Sequence, residues 1–335
     1  MSAWKDLPRR ILTVTIGVPS IVLLLRHPLT AWLFFQGAHL LCLLEWRALV
    51  PDARPTASAG ERVNGEGSGS LFRRFRARIL LDGTSGDTPL RRLMFSLFAA
   101  ASIISTISPT SLLPLVTMAH GIALRLVPHL PRSRGCADSP QDEVDTLLGI
   151  QHYQFGSVYV SLGFHFILKV LLIGGPAHVG NLLFIVWMSD TGALIAGRAA
   201  KTKKVKTDDG EPDNEDAFMS FVKSISPGKT LPGLFGAVLT GPLSAICYAS
   251  IAQTLYRPGT FLGCIHINPI MQQIMAGLVL STVGIVGDLA ESSVKRTSKK
   301  KDSGGLLPGH GGVVDRFDSL FVAGIVYYYI LLLPR

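Results

Sequence analysis

Long apolar stretches separated by short charged ones dominate the chain. A helix needs about 20 mostly apolar residues to cross a bilayer. Roughly nine runs approach that length, at about 11–26, 29–49, 92–107, 110–128, 155–174, 177–197, 232–253, 269–288 and 317–334. The runs carry no strand-like alternation, and no repeat period is visible. The expected fold class is all-α: a polytopic integral membrane helical bundle of about nine transmembrane helices, with eight to ten as the range.

Composition supports this pattern. The 335 residues are 48% hydrophobic and only 16% charged, against about 25% charged in soluble domains. That argues against an ordinary soluble enzyme. It also argues against a disordered chain, which needs low hydrophobicity. The formal net charge is nevertheless +9. A nucleic-acid binder would account for the charge but not for the apolar bulk, so no nucleic-acid partner is expected.

The basic residues are unevenly placed. Lys5, Arg9 and Arg10 precede the first run, and segment 50–92 holds eight Arg and no Lys. Segment 198–231 holds Arg198 and six Lys, and segment 289–316 holds Lys295, Arg296, Lys299, Lys300, Lys301 and Arg316. The alternate loops hold only Arg26 and Arg257. By the positive-inside rule the rich loops face the cytoplasm, or the stroma or matrix of an organelle. The first run reads as a retained span or signal anchor. Residues 51–88 and 202–220 read as mobile surface insertions. The four cysteines show no CxxC spacing and no His cluster, so neither a zinc site nor a disulfide framework is expected.

Three polar stretches interrupt the apolar background. Asp190, in Ser189-Asp190-Thr191-Gly192-Ala193, sits inside a run that continues to Gly197-Arg198. A carboxylate at membrane depth is costly and faces a partner or a polar cavity. Ser224-Ile225-Ser226-Pro227-Gly228-Lys229-Thr230 joins hydroxyls, a Lys and a Gly before the 232–253 run. Such a turn can hold a phosphate at a helix start, although no Gly precedes Gly228 by five residues as a P-loop requires. The third stretch is the longest. Helical spacing puts Asp288, Glu291, Ser292 and Lys295 on one face, and Asp315 and Asp318 three residues apart. Carboxylates beside Lys and Arg suit a magnesium-nucleotide site, because the metal takes hard oxygens and the cations take phosphates.

This last stretch resembles the signature of the phosphatidate cytidylyltransferases, or CDP-diacylglycerol synthases. That signature reads S-x-apolar-K-R, four residues, K-D-x-small, two residues, apolar-P/G-x-H-G-G-apolar-x-D-R-apolar-D. Its fixed positions are filled by Ser292, Val294, Lys295, Arg296, Lys301, Asp302, Gly304, Leu307, Pro308, His310, Gly311, Gly312, Val313, Asp315, Arg316, Phe317 and Asp318. Two earlier motifs agree in order. Asp190-Thr191-Gly192-Ala193 with Gly197-Arg198 is similar to the family's D-T-x-A-Y-x-x-G-R, with Leu194 in place of Tyr. Ser226-Pro227-Gly228-Lys229-Thr230 is similar to its S-P-x-K-T-x-E-G, with Pro232 in place of Glu. The resemblance covers roughly residues 154–334.

The resemblance implies transfer of CMP from CTP to phosphatidate, giving CDP-diacylglycerol and pyrophosphate. Residues 1–150 are then N-terminal membrane spans, and 151–335 are the catalytic membrane domain with motif loops at 198–231 and 289–316. Asp288 and Asp315 are expected to hold Mg2+, with Asp190 or Asp318 completing the shell and a second cation as an added expectation. Lys295, Arg296 and Arg316 are expected on phosphates, and Ser226, Lys229 and Thr230 on the triphosphate. Arg198, Ser292 and Lys301 are expected to bind substrate, and His310 to position it. The expected partners are CTP, phosphatidate, the bilayer and a second copy of the chain. A CTP-dependent polyprenol or dolichol kinase and a non-enzymatic transporter are the alternatives; the long basic, glycine-rich loop argues against the transporter.

Overall fold

The computed structural model describes residues 16–17, 19–49, 99–100, 104, 140–204, 217–255, 270–298, 300–304 and 311–333. The expected run 110–128, most of 92–107, the insertion 51–88, most of 202–220 and His310 lie outside the described residues. The described chain is helical: α1 Pro28–Leu49, α2 Pro140–Lys204, α3 Ala217–Ile225, α4 Leu231–Leu255, α5 Ile270–Thr297 and α6 Val314–Leu332.

Among the described residues, three segments are long and apolar enough to cross a membrane: Gln154–Ala200, Leu231–Ala252 and Ile270–Thr297. The first has 47 residues. At about 1.5 Å per residue it would far outrun a hydrocarbon core of about 30 Å. It is broken at Gly175, whose φ of 72° lies in the left-handed region, next to Pro176. Proline lacks the N–H that would continue the ladder. His178 Nδ1 lies 2.5 Å from the Gly174 carbonyl oxygen at the end of the first arm. The break falls between the apolar runs at 155–174 and 177–197, so one continuous helical stretch is two arms.

Apolar side chains face both inward and outward. Phe164, Phe321, Trp46 and Leu182 are buried, while Phe235, Leu239, Leu243, Met271 and Leu172 are exposed. Polar groups are found inside: Ser161, His165, Asn181 and Gln273 are buried. Asn181 Nδ2 donates to Gln273 Oε1 at 3.1 Å and to Tyr327 Oη at 2.9 Å, tying α2, α5 and α6 together. An apolar exterior around a hydrogen-bonded interior is what lipid as solvent favours.

The helices cross closely. At the α4–α5 crossing a Cβ on Gly277 would lie 2.6 Å from the Gly241 carbonyl oxygen. Small residues let backbones approach this way in membrane bundles. The first arm of α2 lies against α1 and α6, with Trp46, Phe155, Tyr159, Phe164, Phe317 and Phe321 in ring contact. These contacts hold the start of α6 against the first arm of α2.

Two elements run beyond their apolar patterns. The loop expected from 289 is helical to Thr297, and the loop expected from 198 is helical to Lys204. The physical reason is that the polar residues there keep helical spacing and have good intrinsic helix propensity. Loss of hydrophobicity ends the apolar run without ending the helix.

Candidate functional site

The site forms where the polar end of α5 passes the first turn of α6. Gly287 allows the crossing, since a Cβ there would lie 2.6 Å from the Asp318 carbonyl oxygen. The Tyr159 hydroxyl lies between the two helices, 3.1 Å from the Gly287 carbonyl and 2.9 Å from that of Asp318. The crossing brings carboxylate oxygens of Asp288, Glu291 and Asp318 within 4.8 Å of one another.

Glu291 is fully buried. Its partner is Lys295, one turn on, with Nζ at 2.5 Å. The same ammonium lies 2.8 Å from Asp315 Oδ1. Asp315 also accepts from the Gly312 amide at 2.7 Å and the Ser303 amide at 3.1 Å. Gly311, at φ 77°, turns the backbone so that the Gly312 amide meets that carboxylate. Burial works against the charge on Asp315, but the Lys295 ammonium and the Gly312 amide outweigh it and hold the carboxyl below its ordinary range.

The turn at 226–230 supplies the third side. The Lys229 amide donates to the Ser226 carbonyl at 3.1 Å. Lys229 Nζ reaches Asp288 Oδ2 at 2.6 Å, and Ser292 Oγ donates to Asp288 Oδ1 at 3.3 Å. Thr230 Oγ1 accepts from the Gly233 amide at 3.2 Å, as an N-cap of α4 does. Arg296 Nε donates to the Ile225 carbonyl at 3.4 Å, joining the end of α5 to α3.

The donors suit a small divalent cation. Asp288, Glu291, Asp315 and Asp318 face the two ammonium groups of Lys229 and Lys295. When all are ionised, the carboxylates exceed the ammonium groups by two charges. Glu291 Oε1 is buried with no hydrogen-bond partner among the described residues. Hard oxygens with unmet negative charge are the ligands such an ion takes.

Comparison with known proteins bears on this region. Residues 219–333 match the family model described as "Cytidylyltransferase family". The chain is 30% identical over 179 residues to the phosphatidate cytidylyltransferase of Bacillus subtilis, covering 52% of this chain and 56% of that protein. It is 34% identical over 161 residues to the protein of that name in Staphylococcus epidermidis, covering 48% and 51%. With the protein of that name in Haemophilus influenzae it shares 31% over 154 residues, 45% of each chain. The chain thus spans about half the length of the curated relatives it matches.

Within the matched segment, the expected residues Asp288, Ser292, Lys295, Asp315, Asp318 and Lys229 come together. Arg296 and Arg316 are exposed beside them, and Ser226 and Thr230 are half-buried in the turn. Lys301 is exposed on the loop after α5. Asp190 and Arg198 lie on α2, before the segment. Asp190 is within electrostatic reach of Asp288, Lys229 and Arg316, but it is outside the cluster of three carboxylates. Two groups carry no individual role in the sequence reading: Glu291, which is placed on the acidic face, and Tyr159. Glu291 shares the face of Asp288, which was a sufficient signal. Tyr159 sits in an apolar run with nothing to mark it.

Proposed function

We propose that the chain transfers a cytidylyl group from CTP to phosphatidate, giving CDP-diacylglycerol and pyrophosphate. The observation that carries this reading is the convergence of Lys229, Asp288 and Asp318. They come from the turn, from α5 and from α6, within or bordering two separate family motifs. The names of the relatives in Bacillus and Staphylococcus support the same reaction.

A phosphate oxygen of phosphatidate attacks the α-phosphorus of CTP. The bond from that phosphorus to the bridging oxygen breaks, and pyrophosphate leaves with the electron pair. A phosphate monoester has its second ionisation near pH ~6, so the nucleophile is already charged and no general base is required. Both reactants are anions, and the site must offset their repulsion. A magnesium ion held by Asp288, Glu291 and Asp318 would draw charge from the phosphoryl oxygens. Asp190 flanks that set from α2. Lys229 presents an ammonium to the triphosphate from the turn, with Ser226 beside it and Thr230 fixing the start of α4. Arg296, Arg316 and Arg198 offer guanidinium groups to phosphates. Lys295 and Asp315 hold α5, α6 and their loop in register. Lys301, exposed on the loop after α5, would bind substrate, and His310 would position it. This assigns Asp315 to the loop rather than to the metal, because it lies outside the cluster of Asp288, Glu291 and Asp318 and holds Lys295, Ser303 and Gly312 instead.

We place the motif segments at the cytoplasmic, stromal or matrix face of a bundle of about nine spans, following the basic loops. The phosphatidate headgroup then reaches the site from the bilayer plane. The test is an assay of the purified full-length protein in detergent with Mg2+, CTP and phosphatidate. CDP-diacylglycerol and pyrophosphate are expected in equal amounts. Release of CDP instead would mean γ-phosphoryl transfer and would overturn the reading.

A further inference from the structure

Glu45 lies near the end of α1, more than 170 residues before the family-matched segment. It is buried among Cys42, Leu43, Trp46 and Leu49. A carboxylate in such a run needs a partner. Glu45 finds it across the bundle, in the loop that leads into α6. Oε2 accepts from the Val314 amide at 3.0 Å and from Ser303 Oγ at 3.2 Å.

Three features make this contact a clamp on the site. First, α6 begins without a side-chain cap of its own, because its N-cap residue is Val313. The first amides of a helix need acceptors, and a carboxylate there also meets the positive end of the helix dipole. Glu45 supplies both from another helix. Second, Ser303 is gripped from two sides: its hydroxyl by Glu45 and its amide by Asp315. Third, the loop backbone lies tight against the carboxylate. A Cβ on Gly304 would come within 2.5 Å of Glu45 Oε1, and one on Gly312 within 2.5 Å of Oε2.

We infer that Glu45 is a positioning residue for the reaction, a cap in trans that sets the first turn of α6, and with it Asp315 and Asp318, against α5. The inference rests on the cytidylyl-transfer reading of the site. It makes the N-terminal part of the chain a working part of that site.

The test uses full-length protein in detergent and the variants Glu45→Ala, Glu45→Gln and Ser303→Ala. The first measurement needs no substrate: hydrogen exchange at the amides of Ser303, Gly312 and Val314. Losing a charged hydrogen-bond acceptor should speed exchange in Glu45→Ala by about tenfold or more. Glu45→Gln keeps an acceptor oxygen for Val314 and should stay near wild type. The second measurement is the rate of CDP-diacylglycerol formation. Glu45→Ala should lower kcat by about tenfold and raise the Mg2+ requirement, with KM for CTP held within about twofold. Glu45→Gln should restore most of kcat. Ser303→Ala removes one bond of the clamp and should lower kcat by about threefold, which keeps the test decisive if Glu45→Ala fails to fold. Wild-type exchange in Glu45→Ala, or faster exchange with unchanged kcat and Mg2+ requirement, overturns the inference. If the unmodified protein makes no CDP-diacylglycerol, the reading of the reaction fails, and with it Glu45's role in the reaction, while exchange alone then decides whether Glu45 holds the loop.

Discussion

Lys295 and Lys229 stand beside the same acidic cluster in very different settings. Lys295 is wedged between Glu291 and Asp315, at 2.5 and 2.8 Å, and those two side chains are 0% and 7% exposed. Lys229 pairs with Asp288 at 2.6 Å, and the Asp288 side chain is 35% exposed. The first ammonium is enclosed by carboxylates on neighbouring helices. The second sits on a turn at the open side of the cluster. Two lysines of one site therefore have different work. Lys295 holds charged helices together where water cannot screen them. In the proposed reaction Lys229 turns to an incoming phosphate, because its partner is the more exposed carboxylate.

The difference predicts opposite phenotypes. The largest effect belongs to Lys295→Met, which leaves two buried carboxylates without their cation. Breaking a buried ion pair from one side costs about 3–5 kcal/mol. A clear fall in Tm is expected in detergent, together with loss of cytidylyl transfer. An unchanged Tm would break the comparison. Asp315→Asn comes next. It keeps the shape of the side chain but removes the charge that meets Lys295 and the Gly312 amide. Hydrogen bonds to charged groups contribute about 1.5–3 kcal/mol, and a loss in that range is expected. Because the two residues touch, the double variant should lose less stability than the sum of the singles. Strict additivity would mean that they do not share one network.

Lys229→Ala should behave in the other way. The Lys229–Asp288 pair is partly exposed, at 16% and 35%, so its loss should cost less than the ~3–5 kcal/mol of a buried pair and Tm should fall less than in Lys295→Met. KM for CTP should rise by about tenfold, in line with the loss of one charge-assisted contact. Unchanged kinetics would remove Lys229 from the nucleotide site. A large fall in Tm would make it a second Lys295.

Much of this was legible in the sequence. The i, i+3, i+4, i+7 spacing from Asp288 to Lys295 gave one face of a helix, and the structure has that face. The three-residue step from Asp315 to Asp318 gave one turn of α6. Gly175-Pro176 stood between two apolar runs and marks the break in α2. What spacing within a helix leaves undetermined is which helix lies opposite. Lys295 read as a phosphate ligand because, although Glu291 lies one turn away on the same face, nothing local shows Asp315, twenty residues on, closing over it. The Val314–Glu45 contact spans 269 residues. Glu45 nevertheless carried the same mark as Asp190, an acid inside an apolar run, and that mark was the only trace of a long-range partner. The continuation of α5 past 288 was visible only in the polar spacing and not in the apolar run. Hydrophobicity reports the membrane, whereas helix continuation depends on propensity and on partners for polar groups.

The smallest effect is assigned to Ser292. Its hydroxyl donates to Asp288 Oδ1 at 3.3 Å, a long bond, while Lys229 holds the other oxygen at 2.6 Å. Ser292 therefore sets the rotation of the Asp288 carboxylate, and Lys229 balances its charge. Removing a neutral donor costs about 0.5–1.5 kcal/mol. Ser292→Ala should lower activity by about threefold, less than Lys229→Ala, with Tm near wild type. The change should fall on the Mg2+ concentration needed for half-maximal rate, since Asp288 is the group left freer to rotate. KM for CTP should stay within about twofold, because Lys229 is untouched. If Ser292→Ala instead raised KM for CTP as much as Lys229→Ala does, Ser292 would be a direct nucleotide contact. The open side of the cluster would then extend along α5 past Asp288, and the boundary between the two lysines would have to be drawn nearer to Lys295.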